Sequence, residues 1–157
     1  MVRLKILVAF DGSTTSLKAY RLTLEIVKKL SEPSEIHLLY VTDVPIVKPF
    51  RIHHDITVGV GTPVIISSIP HESIGRKELR RIHEVMEEAL AEAEAYGVSV
   101  DFVVKKGRPE EEILREAEKG YDLLVVGGRD KPTSIPGLGH IAEAIVKRAR
   151  CPVLVVK

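Results

Sequence analysis

The chain has 157 residues, enough for one domain with a real apolar core and no need of disulfides or metals. Its 23 Lys and Arg balance 22 Asp and Glu, so no net field recruits nucleic acid or anionic lipid. The single cysteine, Cys151, excludes an internal disulfide, and the longest apolar run, Ile6 to Phe10, is far shorter than the about 20 residues that cross a bilayer.

The start, Met1-Val2-Arg3-Leu4-Lys5, reads directly into a strand and not into a signal peptide, so a cytoplasmic location is expected. Leu4 to Phe10 (LKILVAF) is short, apolar and stopped by Asp11-Gly12, the pattern of a buried strand. Ser13 or Thr14 then caps a helix whose Leu17, Tyr20, Leu24 and Val27 recur at spacings of three and four. Ile36 to Val41 (IHLLYV) reads as a second strand. Residues 43 to 74 hold Pro45, Pro49, Pro63 and Pro70 and show no helical period. Within them Ile56 to Val60 and Val64 to Ile66 flank Gly61-Thr62-Pro63, which fits a small hairpin, an ordered lid or a partner-contact arm.

Leu79, Ile82, Met86, Ala89, Ala93 and Tyr96 form a helical stripe that Gly97 stops. Val98 to Val104 is strand-like. Pro109 suits a first helical position, with Glu110, Glu111 and Glu112 at the positive end of the helix dipole. Gly120 ends that helix, and Asp122 to Val126 (DLLVV) is another buried strand. A glycine-rich loop, a helix over about Leu138 to Arg150 and the strand Val153 to Val156 complete the chain. This alternation predicts a single α/β domain, 1–157, with an open parallel sheet, helices on both faces, and 43–74 as a variable, insertion-like segment.

Ligands of such sheets bind beyond the carboxyl ends of the strands, where strand order reverses. Two features fall just after strands. Asp11-Gly12-Ser13 offers a carboxylate at a helix start. Gly127-Gly128-Arg129, followed by Gly137-Leu138-Gly139-His140, offers a loop whose backbone can approach a phosphate at a second helix start. Together they describe a site for an anionic nucleotide, with Asp11 available to ribose hydroxyls. The plain alternative is turn chemistry, since glycine and Asp-Gly after a strand commonly do no more.

The segments ILVAFDGS, LLYVTD, KKGRPEEEI, DLLVVGGRD and GLGHIAEAIVKRARCPVLVVK resemble the universal stress protein family along nearly the whole chain, except at about 43–74. The resemblance implies a five-stranded sheet in order 3-2-1-4-5, the adenine nucleotide alpha hydrolase-like arrangement, and homodimers that pair through the C-terminal edge strand Val153 to Val156. In one branch it implies ATP bound with Mg or Mn. That branch carries G-x2-G-x9-G followed by Ser or Thr. Here Gly127 matches the first glycine and Gly139 the last. Asp130 stands at the second, the loop to Gly139 is one residue short, and His140 replaces Ser or Thr. An Asp facing triphosphate oxygens is repulsive unless a metal intervenes. Asp11 matches the ribose contact, and Ala9 and Val41 match positions whose backbone meets the base. The candidate binding set is therefore Ala9, Asp11, Val41, Gly127, Arg129, Gly139, His140 and Ile141.

No catalytic residue and no metal ligand emerges. His53-His54 lack the spacing and supporting ligands of a zinc site. His37 and His83 read as structural or solvated, Cys151 as an inert packed thiol, and Glu110 to Glu112 as an exposed helix face. DGS is not a nucleophile elbow. Two alternatives stand beside a nucleotide-binding regulatory module. One is a family member that acts through protein partners. The other is an α/β nucleotide hydrolase, whose S-G-G-x-D-S loop DGSTTS lacks.

Overall fold

The computed structural model describes residues 3–43, 50–54, 64–65, 76–129 and 136–157. Five parallel strands form its centre: β1 (Leu4–Ala9), β2 (Ser34–Thr42), β5 (Val100–Lys106), β6 (Leu123–Gly127) and β7 (Val153–Val156). Two further strands, β3 (Phe50–His54) and β4 (Val64–Ile65), extend the sheet, and its order is β4-β3-β5-β2-β1-β6-β7. The parallel strands alone run in order 3-2-1-4-5, as expected. Register is continuous across the centre, with Val8 opposite Leu38 on one side and Val125 on the other.

Two strands of the segment 43–74 are described. Its hairpin pairs Ile52 with Ile65 and His53 with Val64, so the first arm is Phe50–His54. The arm anticipated at Ile56 to Val60 lies outside the described residues. β3 runs antiparallel to β5, with Ile52 opposite Phe102, and thereby covers the free backbone edge of β5.

Helices α1 (Thr14–Leu30) and α2 (Arg76–Tyr96) lie on one face of the sheet, and α3 (Pro109–Ala117) and α4 (Gly139–Arg148) on the other. Alternation along β1 supplies both cores. Ile6, Val8 and Phe10 pack with Tyr20, Leu24, Ile82 and Met86, while Leu7 packs with Ile113, Leu138 and Ile145. Apolar burial of this extent, at roughly 25 cal/mol per Å², is the main favourable term in folding. Ser13 caps α1: its Oγ accepts from the Ser16 amide at 3.3 Å, and its carbonyl accepts from Leu17 N at 2.9 Å. The buried Tyr20 hydroxyl donates to the Ala89 carbonyl at 2.8 Å and ties α1 to α2. No helix among the described residues is long and apolar enough to cross a membrane.

One smaller reading changes. Glu112 is buried, not solvated: it accepts from Arg115 and lies against Gly107. His37 is fully enclosed, whereas His83 is exposed on α2. Cys151 is half-buried, and burial pushes its thiol pKa up, which suits an unreactive group.

Candidate functional site

β1 and β6 are neighbours, and the connections from their carboxyl ends go to opposite faces of the sheet, to α1 and to α4. A crevice must open where they part. The cleft found there has a volume of about 640 Å³, and Ala9, Asp11, Val41, Gly127, Arg129, Gly139, His140 and Ile141 all line it. Three separate stretches of sequence are thus brought to one place.

Asp11 leaves β1 as the chain turns into α1. Its Oδ1 accepts from the Ser13 amide and from the Ser16 hydroxyl, both at 2.9 Å. Burial works against its charge, but the bonds from Ser13 and Ser16 and the nearby Arg129 guanidinium outweigh it and hold the pKa below the ordinary aspartate value. Oδ2 lies 3.9 Å from Arg129 and remains open to the cleft. An ionised, oriented carboxylate of this kind accepts hydrogen bonds from vicinal hydroxyls.

The glycines are there for contact distance. A Cβ on Gly127 would fall 2.7 Å from the Thr15 carbonyl carbon and oxygen, so a side chain would push the first turn of α1 off β6. Gly139 has φ of +73°, and a Cβ on it would meet the Arg129 side chain at 3.0 Å. The described residues next to them are bonded: Gly128 N donates to Val156 O at 2.7 Å and Arg129 N to Gly137 O at 3.0 Å. Leu138, at the N-cap of α4, makes no side-chain cap bond and leaves the first amides of the helix to other acceptors. Asp130 and Lys131 lie outside the described residues.

The cleft also recruits residues that the sequence did not single out. Leu39, Ile113, Leu138 and Ala142 give it one apolar wall. Tyr40, Thr42, Glu78 and Arg81 give it a polar one. Glu78 Oε1 accepts from Thr42 Oγ1 at 2.7 Å and from the Tyr40 hydroxyl at 3.3 Å, pinning the start of α2 to the end of β2. Burial first, then the Glu78 charge, push the Tyr40 pKa up to about 12, so its hydroxyl stays a donor at neutral pH. Thr42 was findable, since it ends a strand as Asp11 follows one. Glu78 and Arg81 sit mid-pattern in a helix and carry no local signal.

An open parallel sheet wound on both faces, with its cleft at the switch point, defines a doubly wound α/β protein. The model of the universal stress protein family matches residues 54–157. Universal stress protein MJ0531 of Methanocaldococcus jannaschii is 34% identical over 158 residues, covering 98% of this chain and 81% of that one. Universal stress protein YxiE of Bacillus subtilis is 30% identical over 162 residues, covering 98% of each. The crystal structure of a universal stress protein family protein from Arabidopsis thaliana, with AMP bound, is similar with a TM-score of 0.65 at 26% identity, covering 98% of this chain and 91% of that one. The chain belongs to the universal stress protein family.

Proposed function

We propose that the chain is a regulatory module that binds an adenine nucleotide in the switch-point cleft, the base against the apolar wall and the ribose on Asp11. The observation that carries this reading is the ionised Asp11 carboxylate, held by Ser13 and Ser16 and open to a cleft that has an apolar wall and a helix start whose N-cap residue, Leu138, makes no cap bond. The AMP bound to the Arabidopsis relative supports the same ligand class. Gly127 and Gly139 would let a phosphate approach the backbone, and Arg129 would supply positive charge.

ATP would come with Mg²⁺ or Mn²⁺. The metal would offset the repulsion that Asp130 introduces into the phosphate loop. Binding rather than turnover is favoured because the Ser13 and Ser16 hydroxyls are spent on the α1 cap and on Asp11. The alternative of a protein-partner module gains support from the β7 edge, treated below as a homodimer surface.

Equilibrium titration with ATP, ADP and AMP, each with and without Mg²⁺ or Mn²⁺, tests the reading. Asp11→Ala should weaken binding by about 1.5–3 kcal/mol, some 10- to 150-fold, through loss of charge-assisted hydrogen bonds to ribose. Tight binding that Asp11→Ala leaves unchanged places the nucleotide elsewhere. No binding of any of the three rejects the ligand class.

A further inference from the structure

Away from the cleft, the sheet face under α3 encloses a chain of polar side chains. His37, on β2, is buried between them. Its Nδ1 lies 2.7 Å from the Tyr121 hydroxyl, which donates to Glu116 Oε1 at 3.1 Å. Glu116 Oε2 in turn meets the Lys105 ammonium and lies 2.8 Å from that of Lys119. On the other side of the imidazole, Nε2 lies 2.5 Å from Glu35 Oε1 and 3.7 Å from Asp101 Oδ2.

Proton directions follow from donor and acceptor counting. Burial opposes ionisation of Glu116, but its bonds to Lys105 and Lys119 prevail and hold its pKa at about 2. An ionised carboxylate only accepts, so Tyr121 spends its one hydroxyl proton on Glu116. Toward His37 the Tyr121 oxygen can then only accept, and Nδ1 must carry hydrogen. Nε2 faces two carboxylates. Between a carboxyl group, ordinarily near pKa 4, and an imidazole, ordinarily near 6.5, the proton resides on the ring. Both ring nitrogens are donors.

We propose that His37 is a buried imidazolium at neutral pH, balanced by Glu35 and Asp101, and that its deprotonation on the alkaline side loosens the seat of α3. Among the described residues, several elements bring charged groups toward this ring. β2 brings Glu35, β5 brings Asp101 and Lys105, α3 brings Glu116, the turn after it brings Lys119, and Lys5 of β1 stands 4.6 Å over the Tyr121 ring. In β3, His53 holds the backbone register position opposite Asp101. The lysines oppose a further positive charge, but Lys105 and Lys119 are already paired with Glu116. The consequence reaches the cleft because α3 also contributes Pro109 and Ile113 to its lining. A folded-state pKa above the ordinary 6.5 gives stability that is full below that value and is lost as pH rises through the folded pKa.

NMR titration of the imidazole nitrogens in the intact chain tests this. His37 should keep both nitrogens protonated to at least about one pH unit above the ordinary imidazole value of about 6.5, and the thermal midpoint should fall over the same interval. Glu116→Gln replaces a group that only accepts with one that can also donate to the Tyr121 oxygen, so the Tyr121 proton can turn toward Nδ1 and the His37 titration should move to lower pH. Tyr121→Phe should move it the same way by removing the acceptor for Nδ1–H. A purely structural role for this cluster would shift stability without moving that titration. A neutral His37 at pH 7, in either tautomer, overturns the proposal, as does a titration that neither variant moves.

Discussion

Gly127 shows how one atom can decide the architecture of the cleft. The residue ends β6, yet the group it must accommodate is the Thr15 backbone in α1, 2.7 Å from where a Cβ would sit. Gly127→Ala should therefore destabilise the fold by about 1–3 kcal/mol, the usual range for overpacking a rigid contact, and should displace the α1 start that orients Asp11. Chemical denaturation measures the first effect, and nucleotide titration the second. A variant as stable as the parent would show that α1 retreats at no cost. Arg129 illustrates the opposite case. The sequence placed it in the candidate set with no stated partner, and the fold sets it within 3.9 Å of Asp11 and against Gly139.

At the scale of elements, α3 is fastened to the sheet by charge as well as by apolar packing. Ile113 and Ala117 enter the core, and Glu116 adds the pairs with Lys105 of β5 and Lys119. Because the Glu116 pKa falls from 4.5 to about 2, its stabilisation is present above pH 4.5 and is lost as pH drops toward 2. Its side chain is almost wholly enclosed, so solvent screening is weak, and the contribution is on the order of 3 kcal/mol. Denaturation of the parent from pH 6 to pH 2.5 should show this acid loss, and Glu116→Gln should flatten it. An unchanged acid profile in the variant would place the titrating group elsewhere. α2 is fastened differently: Glu78 joins Thr42 and Tyr40 at the cleft, and Tyr20 holds the Ala89 carbonyl farther along the helix.

For the whole molecule, the two sheet edges differ. On one side β3 and β4 cover β5. On the other β7 pairs with β6 alone among the described residues, and Val153, Leu154 and Val155 are each partly exposed. An apolar edge strand without an internal proline or charge invites pairing. We propose that two copies join antiparallel through β7 about a two-fold axis, the commonest closed symmetry. Light scattering at micromolar concentration should report a dimer, and Val155→Pro, which deletes a donor and adds a ring, should yield monomer. A monomeric parent would end this proposal. The nucleotide reading would be untouched, because the residues assigned to the cleft all come from one chain.

The sequence alone determined the elements and the ends of the strands. Apolar runs, capping residues and glycine stops are local, and they marked β1, β2, β5, β6 and β7 and every helix to within a few residues. They also marked Asp11, Gly127 and Gly139, because a switch-point site is built from residues that immediately follow strands. The tertiary structure decided the rest. Phe50–His54 alternates over only four residues, Phe50 to His53, too few to announce a strand, and it is one where it pairs along the edge of β5. Glu78 and Arg81 reached the cleft only when α2 docked over β2. His37, Glu116 and Tyr121 are separated by up to 84 residues, and no spacing in the sequence announces their contact. A capping residue acts on neighbours a turn away, whereas a buried proton's position depends on every group the fold closes around it.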